Sequence, residues 1–300
     1  MLKPCRVTLR PGSREELLPE LDEAFPCLTD RYGLYAGEMA PWHWHQGVEL
    51  FYVESGCVEY VAPSERTVFT GGMGGMINAN SPHMAEGVRE GVQRSHLFDP
   101  LLISGSAGSR IEKRYVLPLT AAPQVEMIAL EPENPAHARA LELLKESFGL
   151  NAEQPGYELK LRAMLSEIWL EMLQIAGPRL SRTQKGSRES DQLKLMMVHI
   201  HEHYGEKINV RSLARIAMTS ERACYSLFRE HLHTSPMEYV ETHRVRMACR
   251  MLVWTSEPVA AIGEACGLGR SSRFSQTFRK HMNCTPLQYR KLRALPRDPA

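Results

Sequence analysis

The 300-residue sequence has no C-x-x-C pair, although it carries seven cysteines. They stand at 5, 27, 57, 224, 249, 266 and 284, scattered and odd in number, which argues against a disulfide framework or a cysteine-built zinc site. Reduced thiols in a cytoplasmic protein are expected instead. No apolar run approaches the length of a membrane span, so no membrane partner is expected. The opening "MLKPCRVTLRPGSREE" lacks an apolar h-region, so it does not read as a secretory leader. What is present suits an ordinary folded protein: 43% hydrophobic and 24% charged residues, at a length that suggests two domains. The net charge of +1 conceals an asymmetry. Residues 190–300 hold 17 Lys+Arg against 10 Asp+Glu, and residues 1–189 hold 19 against 25. A basic C-terminal part beside an acidic N-terminal part suggests that one end meets a polyanion.

Residues 31–120 read as β. Short runs such as "VELFYV", "CVEYVA" and "VFT" alternate with Gly, Ser, Asn and Pro clusters, as in a sandwich or barrel. Residues 135–176 read as helical, with Pro135 and Gly149 punctuating the first helix. In the second, Leu161, Leu165, Ile168, Met172 and Ile175 follow heptad spacing. That stripe is either a face packed on its own domain or a dimer seam. Gly177–Ser190, rich in Gly, Pro, Ser and charge, reads as an interdomain linker.

The C-terminal third repeats itself. "FREHLHTSPMEY" from Phe228 and "FRKHMNCTPLQY" from Phe278 match at an offset of 50, and the segments upstream run parallel with one extra residue in the second turn. Each unit reads helix–turn–helix. In the first, Leu213, Ala214 and Ala217 form an apolar face, Met218-Thr219-Ser220 interrupts it, and a new helix buries Cys224, Leu227 and Phe228. In the second, Ile262, Ala265 and Cys266 precede Gly267, which suits the turn, and Phe274, Thr277 and Phe278 are buried. The faces left exposed are Arg222, Ala223, Tyr225, Ser226 and Arg229, then Ser271, Ser272, Arg273, Gln276, Arg279 and Lys280. Arg pairs bidentately with guanine and Gln with adenine, so these faces suit base reading, with Arg279 and Lys280 placed for phosphate. Between the units, "HRVRMACRMLVW" reads as a basic amphipathic helix with Val245, Ala248, Met251 and Leu252 on one side. Such a helix is expected to hold two reading heads about 34 Å apart, one turn of DNA.

With "SLARIAMTS…YSLFRE", "SPMEYV…HRVRMACRML" and "VAAIGEACGLGRSSRFSQTFRKHMNCTPLQYRK" in view, residues 190–296 resemble the DNA-binding domain of the AraC/XylS family of bacterial transcription regulators. The resemblance implies two helix–turn–helix motifs in adjacent major grooves. It implies base contacts from Arg222, Tyr225 and Ser226, and from Ser271, Ser272 and Gln276. Met218 departs from the turn glycine of the first motif, and Ser226 stands where many relatives carry Arg.

The N-terminal half holds "PWHWHQGVELFYVESG", in which His43, His45 and Glu49 share parity and would face one side of a single strand. With Gly37 and Gly56 the spacing is similar to the first motif of the cupin barrels. "GGMGGMINANSPHMAEG" supplies His83 and a partial second motif. The half also resembles the cupin-type sensor domains of the same regulators, where the barrel usually binds a small effector, often a sugar, and the following helices usually dimerise. Three readings of the stretch stay open. It is a metal-free effector pocket of Trp42, His43, His45, Glu49 and His83; or His43, His45, Glu49 and His83 hold a divalent transition metal; or the protein is a cupin metalloenzyme with a helical accessory domain.

The expected fold is therefore α+β and multidomain. A cupin-like effector-binding β-barrel spans 1–120, a helical dimerisation segment 121–176, a linker 177–190, and an all-α domain with two helix–turn–helix motifs 191–296. The expected function is sequence-specific transcription regulation by a cytoplasmic, non-enzymatic homodimer. It requires no cofactor, its partners are double-stranded DNA and a small-molecule effector, and RNA polymerase is a further candidate.

Overall fold

The computed structural model describes residues 3–4, 7–10, 14–18, 21–22, 24–106, 108–122, 124–181, 188–232 and 234–293. The chain divides into two compact units, one of residues 1–21 with 26–190 and the other of 22–25 with 191–300.

Among the described residues the first unit is built on eight strands: β1 (Lys3–Pro4), β2 (Cys27–Leu34), β3 (Met39–His43), β4 (Val48–Val61), β5 (Arg66–Thr70), β6 (Gly74–Ile77), β7 (His83–Phe98) and β8 (Met127–Leu130). They pair in the order β1-β2-β7-β4-β6-β8, with β3 on β7 and β5 on β4. Among the described residues no pairing joins the ends of that path, so the sheet is open where a closed barrel was expected. The long strand β7 organises it: β4 lies along one edge, while β3 and then β2 share the other.

Strand β4 joins what reads as two strands. Glu54-Ser55-Gly56 is a bulge inside it, where the register against β7 shifts. Gly56 has φ 78°, and a Cβ there would lie 1.9 Å from the Glu90 carbonyl oxygen, so only glycine fits. The core of this unit gathers Leu34, Phe51, Val53, Val58, Tyr60, Phe69 and Ile77, with Phe51 stacked on Tyr60 at 4.5 Å between centroids.

Two expected boundaries move. Residues 101–120, read as β, form helix α1 (Leu101–Ser104), a π-helical turn (Glu112–Val116) and helix α2 (Leu117–Thr120). The cause is Asp99-Pro100: the Asp99 carboxylate accepts the Leu101 amide at 2.9 Å, and proline cannot continue a ladder. Conversely β8 falls inside the 121–176 segment assigned to helical dimerisation, upstream of the residues read as helix, where Met127 to Leu130 pair with β6.

Helices α3 (Ala138–Ser147) and α4 (Tyr157–Ser181) cover the sheet. The heptad stripe of α4 is spent inside its own unit: Leu161, Leu165, Ile168 and Met172 are all buried there, beside Trp169 and Ala176, whereas Ile175 is half-buried. Each fully buried Leu or Ile contributes about 1.5–3 kcal/mol, so this stripe is a packing face. Trp169 donates to the Tyr115 carbonyl at 2.9 Å and Arg162 to the Leu102 carbonyl at 2.8 Å, which locks α4 onto the turns after β7. The expected linker is helical as far as Ser181, and residues 182–187 of it lie outside the described residues.

A buried histidine pins α3 to the sheet. Ser147 gives its hydroxyl proton to the Leu144 carbonyl, so it accepts from Nε2 of His96 at 3.0 Å. Nδ1 of His96 then accepts from Thr29 at 2.7 Å, and the ring stacks on Phe148. One neutral tautomer satisfies every group, and burial pushes the His96 pKa down to about 3.

The second unit is helical: α5 (Arg188–His203), α6 (Val210–Ile216), α7 (Glu221–Leu232), α8 (Pro236–Trp254), α9 (Val259–Ala265), α10 (Ser271–Met282) and α11 (Pro286–Arg293). The repeated Ser/Thr-Pro segments are helix starts. Ser235 caps α8 in a reciprocal box with Glu238. Thr285 does the same with Gln288 before α11. The turns repeat too: Thr219 donates to the Ala214 carbonyl and Leu268 to that of Gly263, both at 2.8 Å. The residue before each amide is left-handed, Met218 at φ 48° and Gly267 at φ 66°.

Candidate functional site

Two groups of residues carry candidate chemistry, one in each unit. In the helical unit, α7 buries Cys224, Leu227 and Phe228, and α10 buries Phe274 and Phe278. The opposite faces expose Arg222, Tyr225, Ser226 and Arg229 on α7, and Ser272, Arg273, Gln276, Arg279 and Lys280 on α10. Ser271 opens α10. Ala223 and Thr277 are half-buried, and Ala265 is exposed where burial was expected. Its packing role belongs to Gly263, where a Cβ would meet the Phe274 ring at 2.7 Å; glycine lets α9 and α10 approach. Periodicity missed this because glycine carries no apolar side chain to register.

Two of the exposed polar groups already have partners. Ser226 donates to Glu230 at 2.6 Å, and Lys280 forms an ion pair with Glu241 at 3.0 Å. Helix α8 buries residues around much of its girth, among them Tyr239, Val240, Val245, Ala248 and Leu252, while Met251 is half-buried. It is thus the central strut of the unit rather than a two-faced surface helix. Its 19 residues span about 28 Å.

In the sheet unit, the structure brings His43, His45 and His83 together, with ring centroids 4.1 to 6.0 Å apart. They do not share a strand. His43 ends β3, directly opposite His83 at the start of β7, while His45 sits in the bend before β4 and Glu49 on β4 itself. The bend is tight because Gly47 lies against β7, where a Cβ would approach the Phe98 carbonyl oxygen to 2.8 Å. Trp44 is buried and Trp42 half-buried.

Each imidazole is oriented by a backbone carbonyl. Nδ1 of His43 meets the Pro41 oxygen at 2.7 Å, that of His45 the Gly47 oxygen at 2.8 Å, and that of His83 the Ser81 oxygen at 3.0 Å. A carbonyl only accepts, so the proton of each neutral ring sits on Nδ1 and each Nε2 presents a lone pair. The three donor atoms lie within 4.8 Å of one another. Nε2 of His45 and of His83 is buried without a hydrogen-bond partner. Burial pushes the His43 pKa down to about 4, with His45 adding to the effect, and holds His83 well below the usual range. For His45 burial opposes charging, but the Glu49 and Glu16 carboxylates outweigh it and raise its pKa.

Glu49 stands 3.9 Å from Nε2 of His45 and 3.8 Å from that of His83, and its other oxygen accepts from Tyr32 at 3.2 Å. Glu16 is a second carboxylate that sequence spacing did not reveal. Its oxygen is 3.9 Å from Nε2 of His43, and burial raises its pKa to about 7, with His45 opposing and Glu49 adding. Three imidazole Nε2 atoms therefore converge beside two carboxylates, Glu49 and Glu16. Imidazole nitrogen with carboxylate oxygen is the donor chemistry that could hold a divalent transition metal.

A fold that pairs a strand-rich unit with a compact unit of capped helices, the latter presenting two basic and polar helix faces, defines a DNA-binding regulator. Comparison with known proteins agrees. A helix-turn-helix domain family matches residues 213–292. The solved structure of a transcriptional regulator from Chromobacterium violaceum, described among AraC-type DNA-binding domain-containing proteins, is 31% identical over 36% of this chain and 96% of that one, with a TM-score of 0.34. The HTH-type transcriptional regulator YdeC of Bacillus subtilis is 24% identical over 84% of this chain and 86% of its own length. The transcriptional activator RhaS of Pectobacterium carotovorum is 24% identical over 83% and 87%. The chain belongs to the AraC/XylS family of transcription regulators.

Proposed function

We propose that the two helix pairs, α6–α7 and α9–α10, are two helix–turn–helix motifs whose second helices read adjacent major grooves. The N-terminal unit is then a cupin-like sensor that controls them. The observation that carries this reading is the matched geometry of the pairs: equivalent turn hydrogen bonds at 2.8 Å, a left-handed residue at the same turn position and an exposed polar face on each second helix, built twice around α8. Arg222, Tyr225 and Ser226 on α7, and Ser271, Ser272 and Gln276 on α10, contact bases; Arg229, Arg273, Arg279 and Lys280 serve the flanking phosphates. Gel shifts with purified protein and DNA from upstream of neighbouring genes test this. A specific, salt-sensitive shift is expected, and its absence with and without candidate effectors would refute it.

Sensing is the role that suits the histidine cluster. A regulator needs only a ligand that binds two states with different affinity, and no turnover. His43, His45, Glu49 and His83 are the contacts for that ligand, with Trp42 beside them. A thermal-shift screen of sugars, related metabolites and divalent cations identifies the class, because a ligand at 100 times its dissociation constant adds about 2.7 kcal/mol.

We propose a dimer seam on a different face of α4 from the one that heptad spacing suggested. Leu161, Leu165, Ile168 and Met172 are used internally, but Leu159 is 73% exposed and Leu170 51% exposed. With Ala163, Ser166 and Leu173 they form a second stripe at heptad spacing. Sedimentation of Leu170→Glu tests it: a shift from dimer to monomer supports this seam, and an unchanged dimer places it elsewhere.

A further inference from the structure

We infer that Glu230 is a positioning residue of the first reading helix: it fixes the proton of Ser226, so that Ser226 accepts a hydrogen bond from a base amino group, cytosine N4 or adenine N6. The inference rests on the double helix–turn–helix reading and goes further, to the chemistry of one contact within it.

The repeat sets the two helices against each other position by position. Both α7 and α10 are 12 residues long, and they start 50 residues apart. Residues four apart lie along one face of a helix. On α7 that stripe is Arg222, Ser226 and Glu230; on α10 it is Ser272, Gln276 and Lys280, and all six are exposed. At the third place the charge is reversed. Lys280 suits a phosphate, but Glu230 repels one, since both are anions and neither has a proton to give. A different use is left for Glu230.

That use is its contact with Ser226. The Ser226 hydroxyl donates to the Glu230 carboxylate at 2.6 Å. The direction is fixed, because a carboxylate only accepts. A hydroxyl has one proton and two lone pairs, so with the proton committed Ser226 offers the groove lone pairs alone. A free serine serves donors and acceptors alike; this one serves donors. In the major groove each base pair presents one amino group, on cytosine or on adenine, among acceptors on guanine, thymine and the adenine ring. Water leaves the contact when DNA docks, which strengthens a bond to a charged acceptor.

The second helix is arranged otherwise. Its Lys280 pairs with Glu241 on α8, and Gln276 carries a donor and an acceptor of its own. Among the described residues, the charges exposed on α7 are Glu221, Arg222, Arg229 and Glu230, which cancel, whereas Arg273, Arg279 and Lys280 on α10 are all cationic. The first helix thus selects more than it attracts, and the second carries more of the salt-dependent affinity.

The test uses the full chain and its selected DNA site. Ser226→Ala should relax the preference at one base pair. At that pair the amino group is then removed, with purine in place of adenine or pyrimidin-2-one in place of cytosine. The unmodified chain should lose about fivefold or more in affinity, and Ser226→Ala should lose nothing further. Glu230→Ala frees the hydroxyl to turn toward an acceptor, so its loss should fall below about twofold, while its affinity for every sequence rises. Full binding of amino-free DNA by the unmodified chain overturns the inference, as does a Ser226→Ala variant that relaxes no pair. A Glu230→Ala variant with raised affinity but the same loss as the unmodified chain reduces Glu230 to a charge effect and overturns its positioning role. Gln276→Ala separates the two failures: if it shifts the preferred site and Ser226→Ala does not, the helix–turn–helix reading stands and this inference falls.

Discussion

Replacing Met218 by glycine should stabilise the helical unit. Met218 occupies the left-handed turn between α6 and α7 at φ 48°, and it is 77% exposed, so its side chain contributes little burial. A side-chain-bearing residue in that conformation costs about 1–2 kcal/mol. Glycine removes the cost but adds unfolded-state entropy worth about 0.4–1 kcal/mol. The net expectation is about 0.5–1 kcal/mol of added stability, or about 2–6 °C for a unit of this size. The repeat supplies the mirror experiment. Gly267 holds the equivalent turn at φ 66°, and a Cβ there would lie 2.8 Å from the Tyr204 carbonyl oxygen and 2.9 Å from the Arg244 guanidinium carbon. Arg244 donates to that same carbonyl at 2.7 Å. Gly267→Ala should therefore lose more than the backbone cost alone, over about 2 kcal/mol, because the inserted methyl also displaces a half-buried hydrogen bond. Urea unfolding followed by helical circular dichroism measures both. A Met218→Gly chain no more stable than the unmodified one, or a neutral Gly267→Ala, would refute the claim that backbone handedness governs these turns.

Other predictions follow from the same geometry. Gln276→Ala should cost about 1–3 kcal/mol at one base pair, read by selection of preferred sites, and an unchanged preference would remove Gln276 from the reading face. Glu241→Gln releases Lys280 from its ion pair, so affinity for all DNA sequences should rise while sequence preference stays the same; weaker binding in salt titrations would contradict this. The His96 pKa is lowered to about 3 in the folded state, so the unfolded chain binds a proton first as pH falls. Stability from this group is complete above about pH 6.5 and declines toward pH 3, by at most about 1.4 kcal/mol per pH unit. In His96→Leu the slope of the urea midpoint between pH 6.5 and 4 should lose about one proton, and an undiminished slope would show that other groups carry it.

Much of the helical unit was legible in the sequence because its signals are local. The offset of 50 between Phe228 and Phe278, the Ser235-Pro236 and Thr285-Pro286 starts and the buried positions of α7 and α10 depend on neighbours one or two turns away. Gly263 escaped because a helix contact made by the absence of a side chain leaves no periodic mark. The heptad stripe of α4 was visible, but its partner was not: spacing identifies an apolar face and is silent on whether the same chain or a second one covers it.

The sheet unit divides along the same line. Residue type and order alone mark His43, His45, Glu49 and His83 as a set with metal-ligand character, and glycine content marks where strands change course. That Glu54-Ser55-Gly56 bends one strand instead of ending it, that His43 faces His83 across β3 and β7, and that Glu16 joins them from 27 positions upstream of His43 all follow from pairing between distant segments. Those pairings are set by burial of the whole sheet against α3 and α4, and no local pattern encodes a sum over contacts so far apart in the chain.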